Sequence, residues 1–294
     1  MAKQKAKARV VPAQASQADT VSPAWLLKAF FFVIAAAALC AYGTLCLLFY
    51  QGQWQLYLHP SHTVSITPAT RNLKFEDVHF DVTETGTPQL EGWWVAADPA
   101  SRWGSSVVLY LHDGSGSLSD TVDAVETLHT LGINVFAFDY RGFGHSAQIT
   151  PGEASMNADA AAAWSYLTQT RGIPPQSIIV YGQGLGAVPA TQLACTESPA
   201  GLVLDGPAES AQTLLRRDGR SHILPLWLLQ KDRFDPEPAL RTLALHKLFL
   251  DRAGEQPRTR QLFHAAAYPR EYFELRSPSN YAEALRQFFD ALLH

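Results

Sequence analysis

The sequence predicts an α/β domain, in which a mostly parallel sheet is flanked by helices, preceded by one transmembrane helix. Short, continuously apolar runs alternate with helical stretches between residues 106 and 293, which is typical of buried parallel strands joined by crossover helices. A charge-free apolar run fills residues 29–50, and a glycine-rich turn, Gly182–Gly186, follows one apolar strand. At 294 residues, the chain is long enough for one large α/β domain and a short appendage.

The apolar run at residues 29–50 is long enough to cross a bilayer as a helix. The apolar core of a cleaved signal peptide is usually ~7–15 residues and precedes a small-residue cleavage site; neither condition is met. A buried core helix is the other alternative. We therefore predict a basic, disordered cytoplasmic tail over residues 1–24 and a transmembrane helix over residues 25–50 that makes the lipid bilayer a partner.

Flanking charge predicts the orientation of this helix. Five cations precede the apolar run, whereas the next cation after it is Arg71. The positive-inside rule then places the N-terminus in the cytoplasm and exports the C-terminal domain, to the periplasm if the source is bacterial. Without the five cations and one acid before the run, 18 cations and 26 acids remain, a net charge of −8. Nucleic acid is therefore not an expected partner.

Cysteine usage predicts neither disulfides nor a metal site. Cys40 and Cys46 lie in the apolar run, so Cys195 is the one cysteine of the soluble part and no intradomain disulfide can form. Cys195 follows the glycine turn within a helix and is predicted to be a small core residue. No cofactor and no metal are predicted.

The domain is predicted over residues 71–294, after a polar connector at residues 51–70. Two strand-like runs, 75–82 and 90–97, of which the first alternates, predict an antiparallel hairpin at a sheet edge. The segment 210–230 is an insertion whose apolar residues fit a lid, a membrane-proximal surface or, as we favour, an ordinary helix packed on the sheet. The other predicted strands are 106–111, 133–138, 178–181, 202–204, 247–250 and 271–275, and the predicted helices are 119–131, 156–170, 187–196, 259–267 and 281–293.

Polar residues follow the first two buried strands, where ligand-binding groups of a parallel sheet lie. The first strand leads into His112-Asp113-Gly114-Ser115-Gly116-Ser117, whose small residues would let backbone N–H groups point at a developing negative charge. The Asp113 carboxylate would repel that charge, and a plain Gly/Ser turn is the alternative.

The second strand leads into Asp139-Tyr140-Arg141-Gly142-Phe143-Gly144-His145-Ser146. This run resembles the D-x-R-G-x-G-x-S signature of α/β-hydrolases, and the wider arrangement resembles their membrane-anchored bacterial-type serine hydrolases, which are esterase-, lipase- or peptidase-like. The likeness covers about residues 55–294 and implies the α/β-hydrolase fold, with a structural role for Asp139–Arg141. Further matching stretches are Glu91-Gly92-Trp93-Trp94, Gly172-Ile173-Pro174-Pro175 and Lys231-Asp232-Arg233-Phe234-Asp235.

The third strand end is the glycine turn, which has the strand–turn–helix layout of the G-x-S-x-G nucleophile elbow. Gly184 occupies the serine position, between Gly182 and Gly186. A chance motif and a dinucleotide-binding turn are alternatives, the latter with Asp205 near the distance of its acidic residue. The resemblance implies an oxyanion hole formed by the backbone N–H groups of Leu185 and Gly114.

The other triad positions are also degenerate. By the chain order of this family the acid follows the strand at 247–250, where Glu255 is favoured and Asp251 is the alternative. The histidine is expected just after the last strand, where Ser279 stands closest. The final histidines, His264 and His294, are poorly placed to act as a base.

These substitutions favour a pseudoenzyme that binds a small acyl-type ligand or a protein partner in the former acyl cleft, or acts as a scaffold. The alternative is an active serine-type hydrolase of esters or peptides with relocated catalytic residues. Its nucleophile would be Ser115, Ser117 or Cys195, and its base His112 or His145.

Overall fold

The computed structural model describes residues 22–82, 89–219, 223–252 and 257–293. It contains two compact units, Met1–Leu48 and Phe49–His294. A single apolar helix, α1 (Pro23–Gly52), begins in the first unit and ends in the second. Over Pro23–Leu56 the most apolar window has a mean hydropathy of 2.3, so this segment is long and apolar enough to cross a membrane. It corresponds to the predicted transmembrane helix over residues 25–50.

An eight-stranded, mostly parallel sheet forms the second unit and confirms the predicted fold class. In the spatial order β10-β9-β8-β7-β4-β6-β3-β2, the antiparallel pairs are β2 with β3 and β3 with β6. The two-residue strands β1 and β5 pair separately, in parallel. The strands are β1 (His59–Pro60), β2 (Glu76–Phe80), β3 (Leu90–Val95), β4 (Trp103–Leu111), β5 (Ser115–Gly116), β6 (Ile133–Asp139), β7 (Ile178–Gln183), β8 (Gly201–Asp205), β9 (Lys247–Arg252) and β10 (Arg270–Leu275).

Helices cover both faces of the sheet, as continuously apolar parallel strands require. On one face, Val108 and Tyr110 pack with Val125 of α2 and Phe288 of α9. On the other face, α4 packs against β7 and β8, with α3 beside it. The remaining helices are α2 (Val122–Thr130), α3 (Glu153–Ser165), α4 (Ala187–Glu197), α5 (Ala211–Arg217), α6 (Leu226–Leu229), α7 (Glu237–Leu240), α8 (Pro257–Ala265) and α9 (Pro278–Leu292).

The strand order determines which loops meet. Strand β4 lies between β6 and β7 and is parallel to both. In register, Leu111 at the end of β4 pairs with Gly182 of β7. The loop after β4 and the glycine turn after β7 are therefore neighbours at the carboxyl edge of the sheet.

Part of the predicted connector is built into the domain. Gln53, Tyr57 and Leu58 are buried, and β1 pairs with β5, in the loop that follows β4. We call residues 57–61 the strap, because they cross this loop. A connector of that kind is a structural part of the site described below.

Two interpretations of single segments differ from the structure. Cys195 is exposed and is not a core residue, because it lies on the outward side of α4, whereas Leu193 and Ala194 are buried. The segment 210–230 is not one helix packed on the sheet. Helix α5 buries Ala211 and Leu215, whereas α6 exposes Trp227 and Leu228.

Candidate functional site

The turn after β7 has the backbone geometry of a nucleophile elbow. Gly184 has a φ of +55°, a left-handed conformation that costs an L-residue roughly 1–2 kcal/mol and glycine very little. A Cβ at Gly186 would overlap the backbone carbonyl oxygens of Leu111 and His112. The turn therefore needs glycine at residue 186 to let α4 start directly against β4.

The Asp113 carboxylate fills the space beside this turn. Its Oδ1 atom accepts hydrogen bonds from the backbone N–H groups of Gly114 and Leu185, each at 2.7 Å. These are the two groups expected to form the oxyanion hole. A Cβ built on Gly184 would overlap the same carboxylate. The aspartate thus takes both the oxyanion donors and the volume of a side chain at residue 184.

The strap covers this loop from outside. The backbone N–H of His59 donates to Gly114 O and that of Ser61 to Gly116 O, both at 2.8 Å. Leu58, 1% exposed, lies over Gly114. A Cβ placed on Gly114 would be 2.8 Å from Leu58 Cδ2. The loop carrying Asp113 is therefore held between the strap and the glycine turn.

A buried pair of titratable groups lies beneath the loop. His112 Nδ1 donates to Asp113 O (2.7 Å), and its Nε2 atom is 3.6 Å from Asp139 Oδ1. Burial lowers the pKa of His112 to about 4 and raises the pKa of Asp139 to about 7. Leu118 N–H also donates to Asp139 Oδ1, at 2.9 Å. With a neutral imidazole and one ring nitrogen committed to a carbonyl, His112 supports the loop from below.

The D-x-R-G-x-G-x-S run makes structural contacts throughout. Ser146 Oγ donates to Asp139 O at 2.6 Å. Arg141 donates from its backbone N–H and its Nε to the two oxygens of Asp159, at 2.8 and 2.6 Å. Burial nevertheless raises the pKa of Asp159, to about 6. These bonds tie the end of β6 to α3.

Of the three positions expected for the acid and the base, the structure describes the side chain of Asp251. Glu255 lies outside the described residues. Asp251 is 2% exposed and accepts a hydrogen bond from Tyr272 OH, and Phe249, two residues earlier in β9, packs on Phe263 of α8. Ser279 lies in the first turn of α9, and its side chain lies outside the described part of the chain.

A cleft of about 410 Å³ lies at the carboxyl ends of β8 and β10, and β8 is the neighbour of β7, which leads into the elbow. Tyr181 OH donates to Asp205 Oδ2 (2.7 Å) and lies 2.8 Å from Tyr281 OH, so Asp205 is part of a tyrosine network. Burial raises the pKa of Tyr181. The cleft is lined by Asp123, Ala124, Thr127, Asp205, Leu275, Arg276, Ser277 and Tyr281.

The two serines predicted as alternative nucleophiles form hydrogen bonds to groups other than histidine. Ser115 Oγ donates to Asp113 Oδ2 (3.3 Å), and Ser117, 1% exposed, donates to Thr63 O (2.9 Å). Among the residues that the structure describes, neither hydroxyl has a histidine as hydrogen-bond partner. His145 lies 3.2 Å from Glu91 Oε1, and desolvation raises the pKa of Cys195, which leaves its thiol a weaker nucleophile.

The sheet order and the strand–turn–helix layout after β7 define the α/β-hydrolase fold. A family model described as serine aminopeptidase, S33, matches residues 105–240. An uncharacterized protein of Mycobacterium tuberculosis is 33% identical over 254 residues, which cover 82% of this chain and 84% of that protein. The chain therefore belongs to the α/β-hydrolase superfamily.

More distant similarity extends to eukaryotes and to solved structures. Alpha/beta hydrolase domain-containing protein 17C of Xenopus tropicalis is 32% identical over 164 residues, which cover 55% of this chain and 51% of that protein. An esterase of Pyrococcus furiosus superposes with a TM-score of 0.62 at 19% identity, covering 81% of this chain and 100% of that structure. At this identity the superposition shows the fold alone.

Sequence reasoning missed the contact between Asp113 and the elbow. It identified Asp113 as ill-suited to an anion-binding loop and Gly184 as a missing nucleophile, but treated them as separate losses. The contact could have been predicted from an acidic residue in the loop after β4 together with a glycine at the serine position of the elbow. These two segments meet because β4 and β7 are neighbours in this fold.

Proposed function

We propose that this chain is a membrane-anchored α/β-hydrolase-fold protein without ester or peptide hydrolase activity, which binds a small acyl-type ligand or a protein partner in the cleft at the carboxyl ends of β8 and β10. The observation that supports this proposal most directly is that the Asp113 carboxylate accepts hydrogen bonds from Leu185 N–H and Gly114 N–H, at 2.7 Å each. A tetrahedral oxyanion would have to displace one negative charge to place another. Loss of one oxyanion donor costs ~10²–10³ in kcat, and loss of a nucleophile in a serine protease costs ~10⁶.

The cleft is the part of the site still suited to a ligand. Leu275 and Ala124 give it an apolar wall, while Arg276 and the Tyr281 hydroxyl offer polar contacts. Pockets of a few hundred Å³ that combine apolar walls with a few polar groups are typical of small-molecule sites. This composition supports an acyl-type ligand with a polar head.

The activity test uses the full-length protein purified in detergent, with p-nitrophenyl butyrate and a serine-directed fluorophosphonate probe. We expect no turnover above buffer and no labelling by the probe. Turnover and labelling by the natural sequence would overturn the proposal, and mapping of the labelled peptide would identify Ser115, Ser117 or another nucleophile.

A matched set of variants tests the role of Asp113 itself. The Gly184→Ser/Ser279→His variant should show no ester turnover, because the serine Cβ would overlap the Asp113 carboxylate. The same pair with Asp113→Ala should gain turnover, whereas Asp113→Ala alone should not. Equal activity with and without Asp113→Ala would refute this explanation of the lost chemistry.

The anchor is proposed with its N-terminus in the cytoplasm and the domain exported. Five cations before the apolar run, with the next one at Arg71, support this orientation. Cys195 is exposed, so a membrane-impermeant maleimide should label it from outside in spheroplasts, and a Cys195→Ser variant should lose that label. Labelling only after lysis would place the domain in the cytoplasm.

A further inference from the structure

A cluster of large apolar side chains is exposed around α6. Ile223 is 60% exposed, Trp227 86% and Leu228 65%. Leu224, between them, is buried at 5% exposure and attaches the segment to the domain. We call Ile223, Trp227 and Leu228 the apolar tip. Exposed aromatic and aliphatic side chains in one short segment indicate an interaction surface.

The apolar tip is tied to the residue that follows the apolar helix. Gln53 comes directly after the last residue of α1 and is 2% exposed. Its Nε2 donates to Leu229 O at 2.8 Å, and its Oε1 accepts from Lys231 N–H at 3.1 Å. Two residues span at most about 7 Å of chain, so Trp227 lies within a short distance of the point where α1 ends.

Two exposed cations follow the tip along the chain. They are Lys231 and Arg233. Between them, Asp232 is buried and accepts a hydrogen bond from Tyr57 OH at 2.6 Å, which fixes the segment to the strap. Lysine and arginine beside an apolar surface can extend their charged ends to lipid headgroups while their stems stay apolar. Tryptophan is enriched at the same depth of a bilayer.

We propose that the apolar tip inserts into the interfacial region of the lipid leaflet at which α1 ends, so that the domain contacts the membrane at a second point. This inference rests on the proposed membrane anchor. The continuity of Gln53 with α1 selects lipid as the occupant, because the tip cannot move far from the bilayer once α1 spans it. The contact holds the strap and the loop that follows β4 close to the membrane surface.

Spin-label depth measurement on the full chain in phosphatidylcholine/phosphatidylglycerol liposomes tests the proposal. In a Cys40→Ala/Cys46→Ala/Cys195→Ala background, single nitroxide labels are attached at Trp227→Cys, Leu39→Cys and Tyr268→Cys. Leu39 lies within α1, and Tyr268, 74% exposed, precedes β10 at the opposite edge of the sheet. Relaxation by lipid-soluble oxygen is compared with relaxation by water-soluble nickel-EDDA.

We expect the labels at residues 227 and 39 to be relaxed more by oxygen, and the label at 268 more by nickel-EDDA. If residue 39 is in lipid but 227 behaves like 268, the anchor stands and the inference fails. If residue 39 itself is relaxed by nickel-EDDA, the anchor fails, and this inference with it. A label at 227 that is shielded from both reagents would show that protein, such as a second copy, covers the tip, which also overturns the inference.

Discussion

The exclusion of a side chain at residue 184 by Asp113 predicts a strongly non-additive pair of mutations. Gly184→Ala adds a Cβ in a left-handed conformation, at a cost of about 1 kcal/mol. It also displaces the carboxylate from Gly114 N–H and Leu185 N–H. Hydrogen bonds to a charged group contribute roughly 1.5–3 kcal/mol each when buried, and Asp113 is half-buried, so we take about 2 kcal/mol for both together.

The stability costs of the three variants then follow from two contributions, the backbone strain at residue 184 and the lost hydrogen bonds of Asp113. Gly184→Ala should cost about 3 kcal/mol, since it has both the strain and the lost bonds. Asp113→Ala should cost about 2 kcal/mol, since it has the lost bonds alone. The double variant should also cost about 3 kcal/mol, because the bonds can be lost only once; the coupling energy is then about 2 kcal/mol.

Urea unfolding of the full chain in detergent micelles, followed by tryptophan fluorescence, measures these differences. For a domain of this size, each kcal/mol corresponds to a Tm shift of about 2–4 °C, so heating gives an independent check. Asp113→Asn is the matched control, because its amide oxygen can still accept both bonds. Single-variant costs that sum in the double variant to within about 0.5 kcal/mol would refute the reasoning.

Three further predictions concern stability and local opening. Burial raises the pKa of Asp139 to about 7, so wild type should lose stability relative to Asp139→Asn as the pH rises from about 4 to 7, by on the order of 3 kcal/mol in parallel urea titrations. Gly186→Ala should destabilise by about 3 kcal/mol, the upper end of the usual cost of overpacking, since its Cβ would meet two backbone carbonyls, whereas Gly219→Ala, with open space around it, should change stability little. Gln53→Ala should speed hydrogen exchange in α6, because it removes the two bonds that hold the segment, whereas exposed Gln55→Ala should not.

For each of these expectations, one specific result would contradict it. The sign at Asp139 follows from linkage: a carboxyl with a raised folded pKa stabilises the fold below its unfolded pKa and loses that contribution as it ionises. A difference between wild type and Asp139→Asn that stays constant from pH 4 to 7 would exclude the pKa shift. Equal stability of the Gly186 and Gly219 variants would contradict the close approach of α4 to β4. Unchanged exchange in Gln53→Ala would mean that other contacts hold α6.

The fold was accessible from sequence because its signals are local and repeated. The buried strands β4, β6 and β7 each contain a continuous apolar run, and β2, which pairs with β3 in the predicted hairpin, lies in an alternating run. The elbow was equally readable from three glycines after a strand. Boundaries differed by a few residues, as for α8, predicted over 259–267 and observed over Pro257–Ala265.

Other features depend on contacts distant in sequence. The bond from Leu185 to Asp113 spans 72 residues, and neither residue indicates it alone. The exposure of Trp227 depends on which face α6 presents, which a four-residue helix is too short to encode by periodicity. Burial of Leu58 in the strap was hidden because the run Leu56-Tyr57-Leu58 is too short to show a helical or strand periodicity.

The pairing of β1 with β5 makes the strap a part of the site as well as a part of the connection to α1. Cleavage after residue 61 would remove the strap, and with it the backbone bonds from His59 to Gly114 and from Ser61 to Gly116. The loop that carries Asp113 would lose its outer wall, and water would reach the donors beneath it. A fragment that starts at the predicted domain boundary, residue 71, therefore has an opened form of the former active site. Loss of residues 57–61 would therefore change the site itself as well as separate the domain from α1.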